Sequence, residues 1–321
     1  MARTTRICRI ARAKLNLALH VRGKRGDGYH ELDSVFVHCV DGDELWVEPA
    51  DAITLTITGP FAEGLSAGED NLVMRAARAV HHAYRRDEPK QHNVFTFDIP
   101  PSDEPARAPS VSDHVVMQPH YGASRGAAIT LVKNLPLASG IGGGSADAAA
   151  TIDLLVALWD LPDDLDVMTG IAASLGADVA PCLYAWPKHV LGRGEDFEAL
   201  HDQAYRDWPV LLVNPGIAVP TGAVFAGWDG VDRGALPTAP QFAQVIAEGR
   251  NDLEPTARSL APVIGECVDL LAAQPGAFGA RMSGSGATCF ALFGCAQERD
   301  AAAQAIRTAR PDWWTWASRL S

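Results

Sequence analysis

Short alternating blocks of apolar and polar residues dominate the first part of the chain. Residues 7–21 read as a strand, with Leu15, Leu17 and Leu19 on one face and Lys14 and Asn16 together on the other. Further strands are predicted over residues 32–40 and 44–47, and over Ile53–Thr58, where the alternation is strict. Asp70 and Asn71 stand before an apolar-periodic run at residues 72–80, which predicts a capped helix. Strand-like sequence returns at residues 94–99 and 128–133, on either side of a proline-rich stretch (100–126) read as a long exposed or disordered loop.

The second half mixes periods. Helices are predicted over residues 148–158, Leu165–Leu175 (ending at Gly176), 221–228, 263–273 and 298–308, with residues 237–248 as helix or loop. Strands are predicted at residues 210–213 and Cys289–Phe293, and a turn at 190–195. There is no steady alternation of strand and helix, which favours an α+β arrangement over a doubly wound sheet. A length of 321 residues suggests about two domains.

Composition narrows the partners. A formal charge of −12 argues against nucleic acid or an anionic membrane, so an anionic ligand would need a local basic pocket. Hydrophobic content of 47% and charged content of 21% are those of a soluble globular protein, and no apolar run approaches the ~20 residues of a membrane span. Arg3, Arg6, Arg9 and Arg12 precede no apolar signal region, and six cysteines lack paired spacing. A cytoplasmic protein with reduced thiols is the expectation.

The stretch Pro136-Leu-Ala-Ser-Gly140-Ile141-Gly142-Gly143-Gly144-Ser145-Ala146-Asp147 lies where strand gives way to helix. Glycines there let successive backbone N–H groups converge, and a helix N-terminus adds its dipole, which together suit phosphate. The loop lacks the Gly-Lys-Ser/Thr ending of a nucleotidase P-loop and the acidic residue of a dinucleotide fold. It also lacks the catalytic-loop signature of protein kinases.

Five segments then occur in one order: Ala13-Lys14-Leu15-Asn16-Leu17, Asp27-Gly28-Tyr29-His30, the glycine loop, Gly176-Ala177-Asp178-Val179, and Met282-Ser283-Gly284-Ser285-Gly286-Ala287. This set resembles the GHMP small-molecule kinase superfamily, from Ala13 to Phe293. Within it, Lys14, Asn16 and the Gly28-Tyr29-His30 loop are most similar to the branch that phosphorylates a cytidine diphosphate-linked polyol. The resemblance implies a two-domain GHMP kinase fold: a ribosomal-protein-S5-like N-terminal domain over residues 1–163 and a ferredoxin-like C-terminal domain over 164–321. It implies ATP on Pro136, Gly140, Ile141, Gly142, Gly143, Gly144, Ser145 and Ala146. Asn71 and Lys133 would border the adenine, although a helix cap and a surface lysine explain them equally well.

The same resemblance makes Lys14 and Asp178 the catalytic pair. It gives substrate contacts to Asn16, Tyr29, His30 and Thr221, and a loop closing on the phosphates to Gly284, Ser285 and Gly286. The implied cofactors are ATP and Mg²⁺. The ion is expected to bridge phosphate oxygens, because no all-protein metal cage is visible. The implied partner is a small-molecule cytidine diphospho-substrate. Rival readings are a homoserine- or mevalonate-type kinase and a non-catalytic binding protein of the same fold. Two departures stand out: Ala146 replaces a second serine, and Ala180 intervenes before Pro181, which is expected to shift a strand following Asp178.

Overall fold

The computed structural model describes residues 6–84 and 126–321. The expected strand at 94–99 and the loop at 100–125 lie outside them, and Gly126 opens a strand.

The first sheet has six strands: β1 (Ile7–Lys24), β2 (His30–Ala50), β3 (Ile53–Thr58), β4 (Gly126–Val132), β5 (Lys188–Gly192) and β6 (Asp196–Ala199). Its order is β3-β4-β2-β5-β6, with β1 antiparallel to β2, and the β3/β4 pair is parallel. The two strands expected at residues 32–40 and 44–47 are one long element, because Gly42 and Asp43 still pair with β1. A register shift between Arg12 and Lys14 marks that point. Both faces of β1 are covered, so Lys14 and Asn16 are as buried as the leucines beside them.

Helices α1 (Leu72–Ala83) and α2 (Gly143–Leu158) pack on this sheet, and α3 (Leu165–Leu175) and α4 (Val179–Cys182) pack on those helices. Asn71 caps α1, accepting from the Val73 N–H at 2.9 Å. α2 is apolar on nearly every side and is buried along most of its length. It begins at Gly143 rather than at Ala148, so the glycine loop is itself the first turn. After Asp178 the chain forms the short helix α4, not a strand, and Ala180 lies within it.

The second sheet is antiparallel, in the order β10-β7-β9-β8: β7 (Pro209–Asn214), β8 (Ala277–Met282), β9 (Cys289–Phe293) and β10 (Trp314–Arg319). Five helices accompany it: α5 (Thr221–Ala226), α6 (Phe242–Glu248), α7 (Glu254–Leu260), α8 (Pro262–Ala272) and α9 (Ala296–Ala309). Of the predicted turn at 190–195, only residues 193–195 form the tip of the β5/β6 hairpin, and residues 190–192 belong to β5 itself. The expected boundary after residue 163 falls between α2 and α3, which share one core, whereas the second sheet starts at Pro209. Among the described residues no helix is long and apolar enough to cross a membrane.

Candidate active site

A cleft of about 1030 Å³ lies between the two sheets and gathers every predicted site residue except Ile141 and Ala146, which are buried in the wall, and Gly286. Strand β1, the glycine loop, the loop between β8 and β9, the segment around Asp178, the Tyr29 loop, the β5/β6 hairpin and α5 all contribute to it.

The strand supplies Lys14. Its ammonium donates to Asn16 Oδ1 at 3.0 Å, lies 4.2 Å from the Phe36 ring centre, and approaches Asp178 Oδ2 to 3.9 Å. The Lys14 side chain is 5% exposed and that of Asp178 46%, so a fixed cation faces a carboxylate open to the cleft. Asn16 is oriented in turn, its amide donating to Ser34 Oγ at 2.9 Å. At 3.9 Å the lysine and aspartate are too far apart for a hydrogen bond, which leaves a hydroxyl room to engage both.

Behind Lys14, its strand partner His38 is fully buried with neither ring nitrogen hydrogen-bonded. Burial, and then Lys188, Lys14 and Arg12, hold its pKa well below the ordinary imidazole value, so it adds no charge behind the catalytic lysine. Lys188, buried against the Tyr184 and Trp186 carbonyls, is pushed down to about 7 by desolvation.

The glycine loop supplies an unpaired helix N-terminus. Gly142 is the N-cap of α2 in the left-handed region (φ 66°), and no side chain caps it. The N–H groups of the first turn, from Gly143 to Ser145, therefore have no intrahelical acceptor and point out of the helix start. Gly140 (φ 77°) is constrained doubly, because a Cβ there would lie 2.5 Å from the Ser283 carbonyl oxygen.

The loop between β8 and β9 locks on from the other side. Ser283 Oγ donates to Gly140 O at 3.1 Å and accepts from the Asn16 N–H at 3.1 Å, and Thr288 N–H donates to Ser139 O at 3.0 Å. Asn251 donates to both the Met282 and Gly284 carbonyls at 2.8 Å. Thr221, at the start of α5, shares a hydrogen bond of 2.9 Å with Ser285. The two sheets thus meet at one polar knot beside Lys14.

The far end of the cleft is aromatic. His30 sits 5.2 Å from the Phe225 ring and 5.7 Å from Trp228, while Tyr29, 59% exposed, has the Arg193 guanidinium 5.0 Å over its ring. Burial and the nearby Lys24 hold His30 below the ordinary imidazole pKa, so it is neutral near pH 7 and offers both a donor and an acceptor. Phe225, Arg193 and Lys24 carried no signal of their own in the sequence; only the folding of α5 and the β5/β6 hairpin toward the Tyr29 loop brings them together.

Asn71 and Lys133 both line the cleft, with different partners. Asn71 spends its side chain on capping α1 and on the Ser66 carbonyl. Lys133 is buried, not a surface lysine. Its ammonium is held by Asp43 and, at 2.7 Å, by Asp147, just under Gly143.

Models of the GHMP kinases N-terminal domain and the GHMP kinases C-terminal domain match residues 112–185 and 235–314. A Rhizorhabdus wittichii protein called 4-diphosphocytidyl-2-C-methyl-D-erythritol kinase is 47% identical over 97% of this chain and 94% of its own length. A Cereibacter sphaeroides protein of the same name is 42% identical over 97% and 98%. Among solved structures, a crystal structure of 4-(cytidine 5'-diphospho)-2C-methyl-D-erythritol kinase superposes with a TM-score of 0.74 at 29% identity, covering 98% of this chain and 99% of that one. A homoserine kinase from Cytophaga hutchinsonii reaches 0.64 at 18% identity, over 100% and 96%, a likeness of fold alone.

Proposed function

The chain belongs to the family of 4-diphosphocytidyl-2-C-methyl-D-erythritol kinases within the GHMP kinases, and from that premise we propose that it transfers the γ-phosphoryl group of ATP to the 2-hydroxyl of that cytidine diphospho-substrate. The observation that carries the reading is the meeting of Lys14 and Asp178 across 3.9 Å, in one cleft with a glycine-loop helix start and an aromatic end.

The acceptor hydroxyl sits between Lys14 and Asp178. Its oxygen attacks the γ-phosphorus in line, the bond from that phosphorus to the β,γ-bridging oxygen breaks, and ADP leaves. The acceptor's proton passes to Asp178 and from there to solvent through the cleft. A carboxylate is a far weaker base than an alkoxide, so the proton moves late, when bond formation to phosphorus has made it acidic. Lys14 orients the hydroxyl and opposes the negative charge that develops at transfer. The free N–H groups at the start of α2 hold the triphosphate, and the Ser283–Gly286 loop closes over it.

Mg²⁺ supplies charge neutralisation on the phosphate oxygens when bound. Among the described residues no group of three or more His, Cys, Asp or Glu could hold a metal ion by itself, and the proposal has the ion arrive with the nucleotide. A cytoplasmic location, where ATP is available, is part of this proposal.

Tyr29, His30 and Phe225 form the cytosine site, with ring faces for stacking and His30 for a base edge. Tyr29→Ala with His30→Ala should raise KM for the cytidine substrate by at least ~5–150-fold, from ~1–3 kcal/mol for the Tyr29 stacking face alone. KM for ATP should stay within a factor of about two. Steady-state kinetics with each substrate varied in turn checks this, and an unchanged KM for the cytidine substrate would remove the base site from this end.

A further inference from the structure

Asp43, Lys133 and Asp147 form a buried triad directly under the phosphate loop, at 0%, 3% and 3% exposure. Two carboxylates share one ammonium, so with both ionised the triad carries a net charge of −1 where a triphosphate is to bind.

The two carboxylates are unequally served. Asp43 accepts from the backbone N–H groups of Asn134 (2.6 Å) and Leu135 (2.8 Å) as well as from Lys133. Three donors thus converge on Asp43. Asp147 has one donor, Lys133, and its Oδ1 is buried without any hydrogen-bond partner. Asp147 stands on the second turn of α2, with the loop's free N–H groups on the turn before it and its side chain on the cleft wall.

We propose that Asp147 takes up a proton when the nucleotide's triphosphate binds to the glycine loop, turning the triad from −1 to neutral. This rests on the assignment of ATP to that loop. The proton goes to the bare Oδ1, leaving Oδ2 on Lys133, and the site above loses its repulsion for the incoming anion.

The surroundings agree. Desolvation, with Asp43 adding to it against the pull of Lys133, pushes Asp147 up to about 8, so the proton is within reach at neutral to mildly alkaline pH. For Lys133, burial works downward, but the two carboxylates together raise it, and it stays charged. Of the elements packed on α2, β1 brings Lys14, behind Gly142, and α4 brings Cys182, held up at about 12 by burial and so neutral. The buried positions of α1 and α3 are apolar.

The test is calorimetric titration of the intact enzyme with Mg·ATP, without acceptor, near pH 8 in two buffers of different ionisation enthalpy. The isosteric Asp147→Asn, a mimic of the protonated state, is run beside it. The difference between the two proteins cancels protons belonging to the nucleotide. Wild type should take up about half a proton more per ATP, and its affinity should weaken above pH 8 by up to ~10-fold per pH unit, while Asp147→Asn stays flat. Equal proton counts with binding intact would overturn the proposal. Absence of ATP binding in wild type would instead overturn the nucleotide assignment. If Asp147→Asn does not fold, infrared difference spectra of wild type decide: a protonated-carboxyl band must appear on ATP binding, and its absence would sink the idea.

Discussion

Asp178→Asn should lower kcat by ~10²–10⁴-fold while ATP still binds, since a positioned general base contributes about that much. In activation terms this is about 3–5 kcal/mol. Asn keeps the size of the side chain and can still contact a hydroxyl, but it cannot accept the acceptor's proton. Asp178 is half-exposed and makes no cap hydrogen bond to α4, so the fold should lose little. Nucleotide binding by calorimetry beside turnover by ADP release separates the two roles. Turnover at the wild-type rate would mean that the proton leaves by another route and that Asp178 only shapes the cleft.

Lys14→Met should cost ~10²–10³-fold in kcat, the scale of removing one preorganised charge from a developing anion. It carries a second cost that Asp178→Asn does not. Asn16 Oδ1 loses its donor in a buried site, at about 1–3 kcal/mol of stability. Arginine should not rescue the loss. The lysine stem runs beside Gly142, close enough that a Cβ there would come within 3.2 Å of Lys14 Cε, and the ammonium is walled by Phe36. The larger guanidinium would press on the phosphate loop. Thermal unfolding and kcat measured on both variants check this, and an active Lys14→Arg would show that charge alone matters.

Much of this site was legible because its residues lie in short contiguous segments. Lys14 and Asn16 share a strand face by period alone, and Asn71 announces a helix start by residue type. Strands such as Ile53–Thr58 and Cys289–Phe293 were bounded by their alternation or by turn residues. The identity of the chemistry came from the order of five segments that resemble one superfamily.

What stayed hidden depends on contacts between distant segments. From sequence, Lys133 reads as an adenine-pocket residue or an ordinary surface lysine; its buried carboxylate partners lie 90 and 14 positions away, and nothing local marks a buried ammonium. In the sequence the β5/β6 hairpin shows only a turn signal: Lys188 and His189 at its start look polar, yet both are buried by the sheet. β10 escaped because Trp314–Arg319 is a short half-buried edge strand after a helix. The start of α2 was placed late because glycines disfavour helix interiors, whereas here they form its first turn, where free N–H groups are the function.

A coupled ADP-release assay decides whether ATP is paired with a cytidine diphospho-acceptor. Offered 4-diphosphocytidyl-2-C-methyl-D-erythritol, homoserine and mevalonate in turn, with Mg·ATP present, the enzyme should release ADP rapidly with the first alone. The product should carry its new phosphate on the 2-hydroxyl, visible as phosphorus coupling in its NMR spectrum. ADP release with homoserine or mevalonate at a comparable rate, and none with the cytidine compound, would contradict the account.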